Sequence, residues 1–317
     1  MKKVSLDRTT KQLSPIVLGT MIVGLNNLEE SKVLLDDALA LGINTLDTAL
    51  GYGGGDSERA IGLWMEERGN REQIFLITKG AHHNKDRKRV TPYDITSDLM
   101  DSLARLKTDY IDLYFLHRDD PDKPVGPIMD ILNEHHKAGR IRAFGGSNWT
   151  YERITEANTY ARSKGLVPMT ASSPNYGLCE QVADPWGPGC VTISGPNEAA
   201  ARSFYKEQDM PVFAYSSLGR GMLSGRVNRD NYKELLDAAA LKAYAYEVNF
   251  VRLDRARSLA EQKGVSVPQI SLAYILNQPF KVFPITGAAS KQEIQEAVIA
   301  ADIVLSEKEC NWLDLGD

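Results

Sequence analysis

Cysteine is scarce in this chain: Cys179, Cys190 and Cys310 are the only three among 317 residues. Their number is odd and no two stand at a C-x-x-C spacing, which speaks against both a disulfide framework and a structural zinc site. No stretch approaches the run of about 20 apolar residues that a bilayer crossing requires. The opening residues are polar where a secretory leader would be apolar, so a cytoplasmic, unprocessed protein is expected, with no membrane partner. Charge of one sign is not concentrated. The net charge is −5, and the one basic run, Lys85 to Arg89, has no aromatic residues interleaved, which makes a nucleic-acid partner unexpected. A Gly-x-Gly-x-x-Gly turn after the first strand is also missing, so a doubly wound dinucleotide fold has no support.

What the chain does have is alternation. With 43% hydrophobic and 25% charged residues it has the composition of a globular protein. Eight short β-rich runs, at 16–20, 44–48, 74–79, 111–117, 142–148, 169–173, 212–217 and 281–287, are separated by stretches of helical period. Ile95, Leu99, Leu103 and Leu106 keep one such face apolar behind a Thr91–Pro92 start, and Gly42, Gly69 and Gly139 follow others where a left-handed residue can close a helix. Eightfold strand–helix alternation predicts an α/β protein of the (β/α)8 TIM-barrel class, one domain over 1–317. Two stretches are extra: 184–197 after the sixth strand and about 218–246 after the seventh. Both are expected as extended loops at the C-terminal rim. The residues before Ile16 are expected to form a β-hairpin plugging the opposite end.

Parallel strands deliver their C-terminal residues to one face. Asp47, Thr48, Lys79, His117, Ser147, Asn148, Ser172, Ser173, Ser216 and Ser217 all fall at strand ends, so they should converge there. An aspartate and a lysine buried in one place satisfy each other, where either alone would be costly. An ion pair that merely ties two strands together would satisfy the same requirement. The adjacent pairs His82–His83 and His135–His136 point different ways on a strand or helix and make poor metal sites.

In order and spacing, Asp47-Thr-Ala-Leu-Gly-Tyr52 with its following glycines, Ile77-Thr-Lys79 and Leu113-Tyr-Phe-Leu-His117-Arg-Asp-Asp-Pro resemble the aldo-keto reductase family. The likeness continues through Gly145-Gly-Ser-Asn148-Trp and Phe213-Ala-Tyr215-Ser-Ser-Leu-Gly-Arg-Gly to Ile285-Thr-Gly287, covering nearly the whole chain. The resemblance implies a catalytic tetrad of Asp47, Tyr52, Lys79 and His117. Hydride would come from a reduced nicotinamide, NADPH or NADH, and the proton from Tyr52, whose phenol Lys79 makes more acidic. Asp47 would keep Lys79 charged, and His117 would orient the carbonyl oxygen. No metal is required.

The same resemblance implies cofactor contacts from Gly19, Thr20 and Asp47, with Ser147, Asn148 and Ser172 at the nicotinamide amide and Tyr215 on its ring face. Ser216, Ser217, Leu218, Gly219, Arg220 and Gly221 would meet the pyrophosphate, the glycines uncovering amides and Arg220 adding charge. Gly287, Ala289 and Glu293 would face the adenosine end. Relatives that bind a 2′-phosphate commonly carry an arginine where Ala289 stands, and Glu293 would repel that phosphate, which leans the choice toward NADH although Lys291 could compensate.

Met21, Tyr52, His117, Trp149 and Trp186 are expected around the substrate, a small carbonyl compound such as an aldehyde, a ketone or a sugar. Two rivals stay open at this point: a nicotinamide-sensing subunit with little turnover, as in the potassium-channel β subunits of the same family, and a Schiff-base aldolase using Lys79. The oligomeric state is not legible.

Overall fold

A computed structural model describes residues 1–316. The chain opens with two short antiparallel strands, β1 (Val4–Ser5) and β2 (Gln12–Leu13). Eight further strands follow: β3 (Val17–Gly19), β4 (Thr45–Asp47), β5 (Phe75–Gly80), β6 (Ile111–Leu116), β7 (Ile141–Ser147), β8 (Ala171–Ser173), β9 (Val212–Ala214) and β10 (Val282–Thr286). They close into one barrel in the order β10-β3-β4-β5-β6-β7-β8-β9. The alternating helices are α1 (Leu28–Ala40), α2 (Asp56–Arg68), α3 (Pro92–Leu106), α4 (Val125–Lys137), α5 (Tyr151–Ser163) and α6 (Ala199–Glu207). This is the expected (β/α)8 barrel, and each of the eight expected runs overlaps one of its strands. No described helix is long and apolar enough to cross a membrane.

Local chemistry explains the boundaries. Thr91 caps α3 by accepting from the Asp94 amide at 3.3 Å with Pro92 at the first helical position, and Gly69 closes α2 at φ 58°. β9 stops at Ala214, three residues earlier than expected. Ser216 takes a left-handed φ of 54° and Ser217 Oγ donates back to Ala214 O at 2.9 Å, so the chain turns out of the sheet. The stretch expected as an extended loop beyond β9 also holds two short helices, α7 (Tyr232–Leu235) and α8 (Ala238–Tyr244), before the long α9 (Glu247–Lys263). Asp237 caps α8 by accepting from the Ala240 amide at 2.7 Å. The remaining helices are α10 (Val267–Leu276), α11 (Lys291–Ala300) and α12 (Glu307–Asp314).

Packing divides the chain into two compact units, the first made of Lys2–Ser173 with Gly287–Lys291 and the second built mainly from Pro174–Thr286 and the residues from Gln292 on. In the first unit β5 and β6 are buried along their whole length, as expected of barrel strands covered on both faces. The hairpin lies at the N-terminal ends of β4 and β5: Asn44 Nδ2 donates to Gln12 O at 2.9 Å and Lys11 Nζ to Ile74 O at 2.9 Å. The second unit packs around Tyr176, Tyr205, Tyr244 and Phe213, the last stacked on Phe283 with centroids 5.0 Å apart.

Candidate active site

Asp47 ends β4, Lys79 lies near the end of β5 and His117 follows β6 directly. In the parallel register Asp47 stands opposite Ile77 and Lys79 opposite Phe115. Three consecutive strands therefore lift an acid, a base and an imidazole to the same rim. Tyr52 begins the turn Tyr52–Gly55, in which Gly53, Gly54 and Gly55 have φ of 58°, 65° and 99°. A Cβ on Gly55 would stand 2.5 Å from Arg105 Nη1, whose donation to Leu50 O at 3.0 Å anchors the turn from below. The glycine run thus lets the backbone fold tightly enough to carry Tyr52 back over the strand ends.

Lys79 is the hub. Its Nζ donates to Asp47 Oδ2 at 2.6 Å, to Thr48 O at 3.0 Å and to Tyr52 Oη at 3.2 Å, while only 3% of Lys79 is exposed. Burial alone would drive the ammonium to give up its proton, but the Asp47 carboxylate and the Tyr52 oxygen together hold its pKa above the ordinary lysine value. Burial raises the Tyr52 phenol as well, with Lys79 pulling the other way. The net direction keeps the phenol protonated at neutral pH. His117 packs edge-on against Tyr52 with ring centroids 5.9 Å apart. Burial, and then the nearby Lys79 charge, push its pKa well below the usual imidazole value, so the ring is neutral.

Three buried polar atoms at these strand ends have no hydrogen-bond partner in the protein: Asp47 Oδ1, His117 Nδ1 and Ser173 Oγ. Leaving such atoms unsatisfied costs about 1–3 kcal/mol each, and a ligand with complementary polar groups would recover it. Asp47 Oδ1 can accept from a hydroxyl, which a nicotinamide ribose has, and Ser173 Oγ can donate to or accept from an amide. The donor set fits a nicotinamide nucleoside.

The other expected residues fall as follows. Thr20 is buried beside Gly19, and its hydroxyl donates to Asp47 O at 2.9 Å. Ser147 Oγ donates to Ser173 O at 2.9 Å, Asn148 Nδ2 to His117 O at 3.2 Å, and Ser172 Oγ to Gly146 O at 3.4 Å. Asn148 stands at φ 59°, a strained position for a side-chain-bearing residue. Met21 is 60% exposed next to Thr20. Trp149, expected at the substrate mouth, is fully buried over Gly146 with its indole N–H donating to Arg118 O at 3.2 Å. Gly287 and Ala289 are exposed after β10, and Lys291 is engaged with Asp37 at 2.7 Å.

Within the second unit, Tyr215 lies 6.0 Å from the ring of Trp186, which is 45% exposed. The turn beyond β9 is left-handed at Gly219, Arg220 and Gly221, but the amides of Gly219 and Gly221 are taken up by Ser216 O and Leu218 O. The Arg220 guanidinium is paired with Asp237 and lies over Trp186. Glu293 is exposed in the first turn of α11.

Sequence reasoning passed over the pair His82–His83 as poor metal ligands. The structure lays the His82 ring edge-on against His117 at 4.8 Å. The available signal was position: His82 stands only two residues beyond the end of β5, on the same rim as Asp47, Lys79 and His117.

This arrangement, with an ammonium held between a carboxylate and a phenol beside a neutral imidazole at the C-terminal rim of a barrel, is suited to protonating the oxygen of a carbonyl whose carbon accepts hydride. The comparisons agree. The model of the aldo/keto reductase family matches residues 15–315, and the chain belongs to that family. An aldo-keto reductase of Bacillus subtilis strain 168 is 29% identical over 317 residues, covering 93% of this chain and 87% of the relative. An NADH-specific methylglyoxal reductase of Escherichia coli K12 is 28% identical, with 99% and 97% covered. The crystal structure of a thermostable aldo-keto reductase in complex with epalrestat superposes with a TM-score of 0.76 at 25% identity, with 99% of each chain covered. The protein is an NAD(P)H-dependent oxidoreductase that carries out carbonyl reduction.

Proposed function

We propose that this chain, acting as one barrel domain in the cytoplasm, reduces a small aldehyde or ketone to the alcohol, with Tyr52 as proton donor. The observation that carries this reading is the Lys79 ammonium bonded at once to Asp47 Oδ2 and Tyr52 Oη. As the carbonyl oxygen gains negative charge, Tyr52 gives it the phenolic proton. The phenolate left behind faces an ammonium 3.2 Å away, so the charge is met where it forms. Asp47 holds that ammonium charged and aimed. His117, neutral, donates a hydrogen bond to the carbonyl oxygen and fixes the substrate's angle of approach. A bound reduced nicotinamide supplies the hydride.

Asp47, Ser147, Asn148, Ser172 and Ser173 would hold the nicotinamide nucleoside, the unsatisfied oxygens of Asp47 and Ser173 being the support for this. For Tyr215 and the turn Ser217 to Gly221 we keep the ring-face and pyrophosphate roles that family membership implies. Arg220 would have to exchange its Asp237 partner for a phosphate. At the adenosine end we infer a preference for NADH. Ala289 offers no guanidinium, Glu293 offers a carboxylate to ribose hydroxyls, and Lys291, the one compensating cation, is engaged with Asp37.

A panel of aldehydes, ketones and sugars followed at the nicotinamide absorbance band, with NADH and NADPH in parallel, tests both parts. Oxidation of nucleotide is expected with at least one carbonyl class, fastest with NADH. Tight nucleotide binding with no turnover across the panel would replace the reductase with a sensor, and tenfold tighter binding of NADPH would overturn the adenosine-end argument.

A further inference from the structure

The residues that follow β5 are held with unusual care. Ala81 sits at φ 59°, a conformation that costs an alanine on the order of 1 kcal/mol, and its amide donates to Asp98 Oδ2 at 2.8 Å. Arg89 pairs with the other oxygen of Asp98, Arg87 clamps Asp94 with both terminal nitrogens at 2.6 and 2.7 Å, and Lys88 reaches Asp120 at 2.8 Å. Asn84 Oδ1 accepts from the amides of Asp86 and Arg87, closing the loop on itself. Arg87, Lys88 and Arg89 of the basic run are therefore tethers, and the strained Ala81 at the root of the loop turns His82 inward.

The ring of His82 reaches the catalytic centre. It lies tilted against exposed His83 with ring centroids 4.3 Å apart and meets His117 edge-on at 4.8 Å, and His117 meets Tyr52 at 5.9 Å. His82 is thus the next ring in a row that runs Tyr52, His117, His82. The chemistry of that imidazole is fixed. Its Nδ1 lies 2.8 Å from His83 O, and a carbonyl oxygen only accepts, so Nδ1 carries the hydrogen. Burial, with the Arg118 charge acting the same way, holds the ring neutral, which leaves Nε2 as a bare acceptor.

We propose that His82 is a specificity-determining residue whose Nε2 accepts a hydrogen bond from a hydroxyl on the carbon next to the reacting carbonyl, selecting 2-hydroxy carbonyl compounds over their deoxy counterparts. The inference rests on the reductase reading and names the substrate class within it. An acceptor at this place favours a hydroxyl, and it disfavours a carboxylate or second carbonyl, whose lone pairs would face its own.

The test compares 2-hydroxypropanal with propanal, which differ by one hydroxyl, in the intact enzyme with its preferred nucleotide. Wild-type kcat/KM is expected to favour 2-hydroxypropanal by about tenfold, the worth of one well-made hydrogen bond. In His82→Phe, which keeps a ring against His117, that ratio should collapse toward one, and in His82→Gln, whose amide oxygen can accept, part of it should return. A wild-type ratio below about two, or a His82→Phe variant that slows both aldehydes equally, would overturn the proposal while leaving the reductase intact. Failure of the wild type to reduce either aldehyde with NADH or NADPH would remove the reductase reading and this inference together.

Discussion

Two of the first unit's buried ion-pair clusters stand at opposite ends of its strands, and they are finished differently. At the N-terminal end Asp112, second residue of β6, accepts from Arg71 Nη2 at 2.9 Å and from the Leu76 amide at 3.0 Å, with Lys11 Nζ at 3.6 Å. The remaining donors of Arg71 go to Thr108 Oγ1, Ile74 O and Tyr110 O, and its guanidinium lies over the Tyr110 ring. At the C-terminal end Lys79 is equally well bonded, yet Asp47 Oδ1, His117 Nδ1 and Ser173 Oγ are left without partners. An ion pair between strands is thus no mark of function by itself. The difference lies in the acid's own oxygens: both oxygens of Asp112 face a cation, whereas Asp47 Oδ1 is left over at the rim where the barrel's loops can build a site.

The sharpest way to break this contrast is Tyr52→Phe. Removing one oxygen from the C-terminal cluster should lower kcat by roughly 10²- to 10⁴-fold, the usual worth of a positioned general acid, while the dissociation constant for nucleotide stays within about twofold. Stopped-flow turnover and nucleotide fluorescence titration read the two quantities separately. Equal loss of both would show that Tyr52 is part of the fold and not the donor.

Lys79→Met and Arg71→Met form a matched pair, since each leaves a buried aspartate without its strongest cation. Both should lose about 3–5 kcal/mol of stability in denaturant titration, because an uncompensated buried charge remains. They should part in kinetics: whatever Arg71→Met protein stays folded should reduce carbonyls at the wild-type rate per folded molecule, whereas Lys79→Met should be all but inactive. Loss of activity in both would mean that the two clusters are not functionally distinct.

Much of this organisation was legible in the sequence because it rests on periodicity and on strand ends. The eight β-rich runs locate the barrel, and a residue at the end of a parallel strand has only one rim to go to, which is why Asp47, Lys79 and His117 could be grouped before any geometry. What a side chain finally pairs with is less visible. Trp149 reads as an aromatic at a rim, but Gly146 leaves room for its indole to turn inward: a Cβ there would come within 2.5 Å of it. Lys291 and Arg220 read as free cations, and the aspartates that engage them, Asp37 and Asp237, come from other elements. His82 was hidden by its neighbour, because the left-handed turn at Ala81 is a conformation that no alanine advertises.

The smallest effect separates the two ends by pH. His117 is neutral in the fold, with its pKa pushed well below the usual value by burial first and by Lys79 second. The unfolded chain returns it to about 6.5, so between that value and the folded pKa the unfolded state binds more protons. Stability therefore falls as pH drops below about 6.5, by up to about 1.4 kcal/mol per pH unit for one group. At the N-terminal end the half-buried cation Lys11 is also lowered, by desolvation ahead of all else, and its window opens downward from 10.5, the lysine range and not the imidazole one. His82 and His135 are lowered by burial too and share the acid slope. Urea midpoints taken between about pH 5 and about pH 7.5 should therefore show a shallower fall in His117→Asn than in wild type, and a smaller change of slope in His135→Asn. If His117→Asn keeps the full wild-type slope, the imidazole is not held neutral at the rim, and the part proposed for it in orienting the carbonyl goes with it.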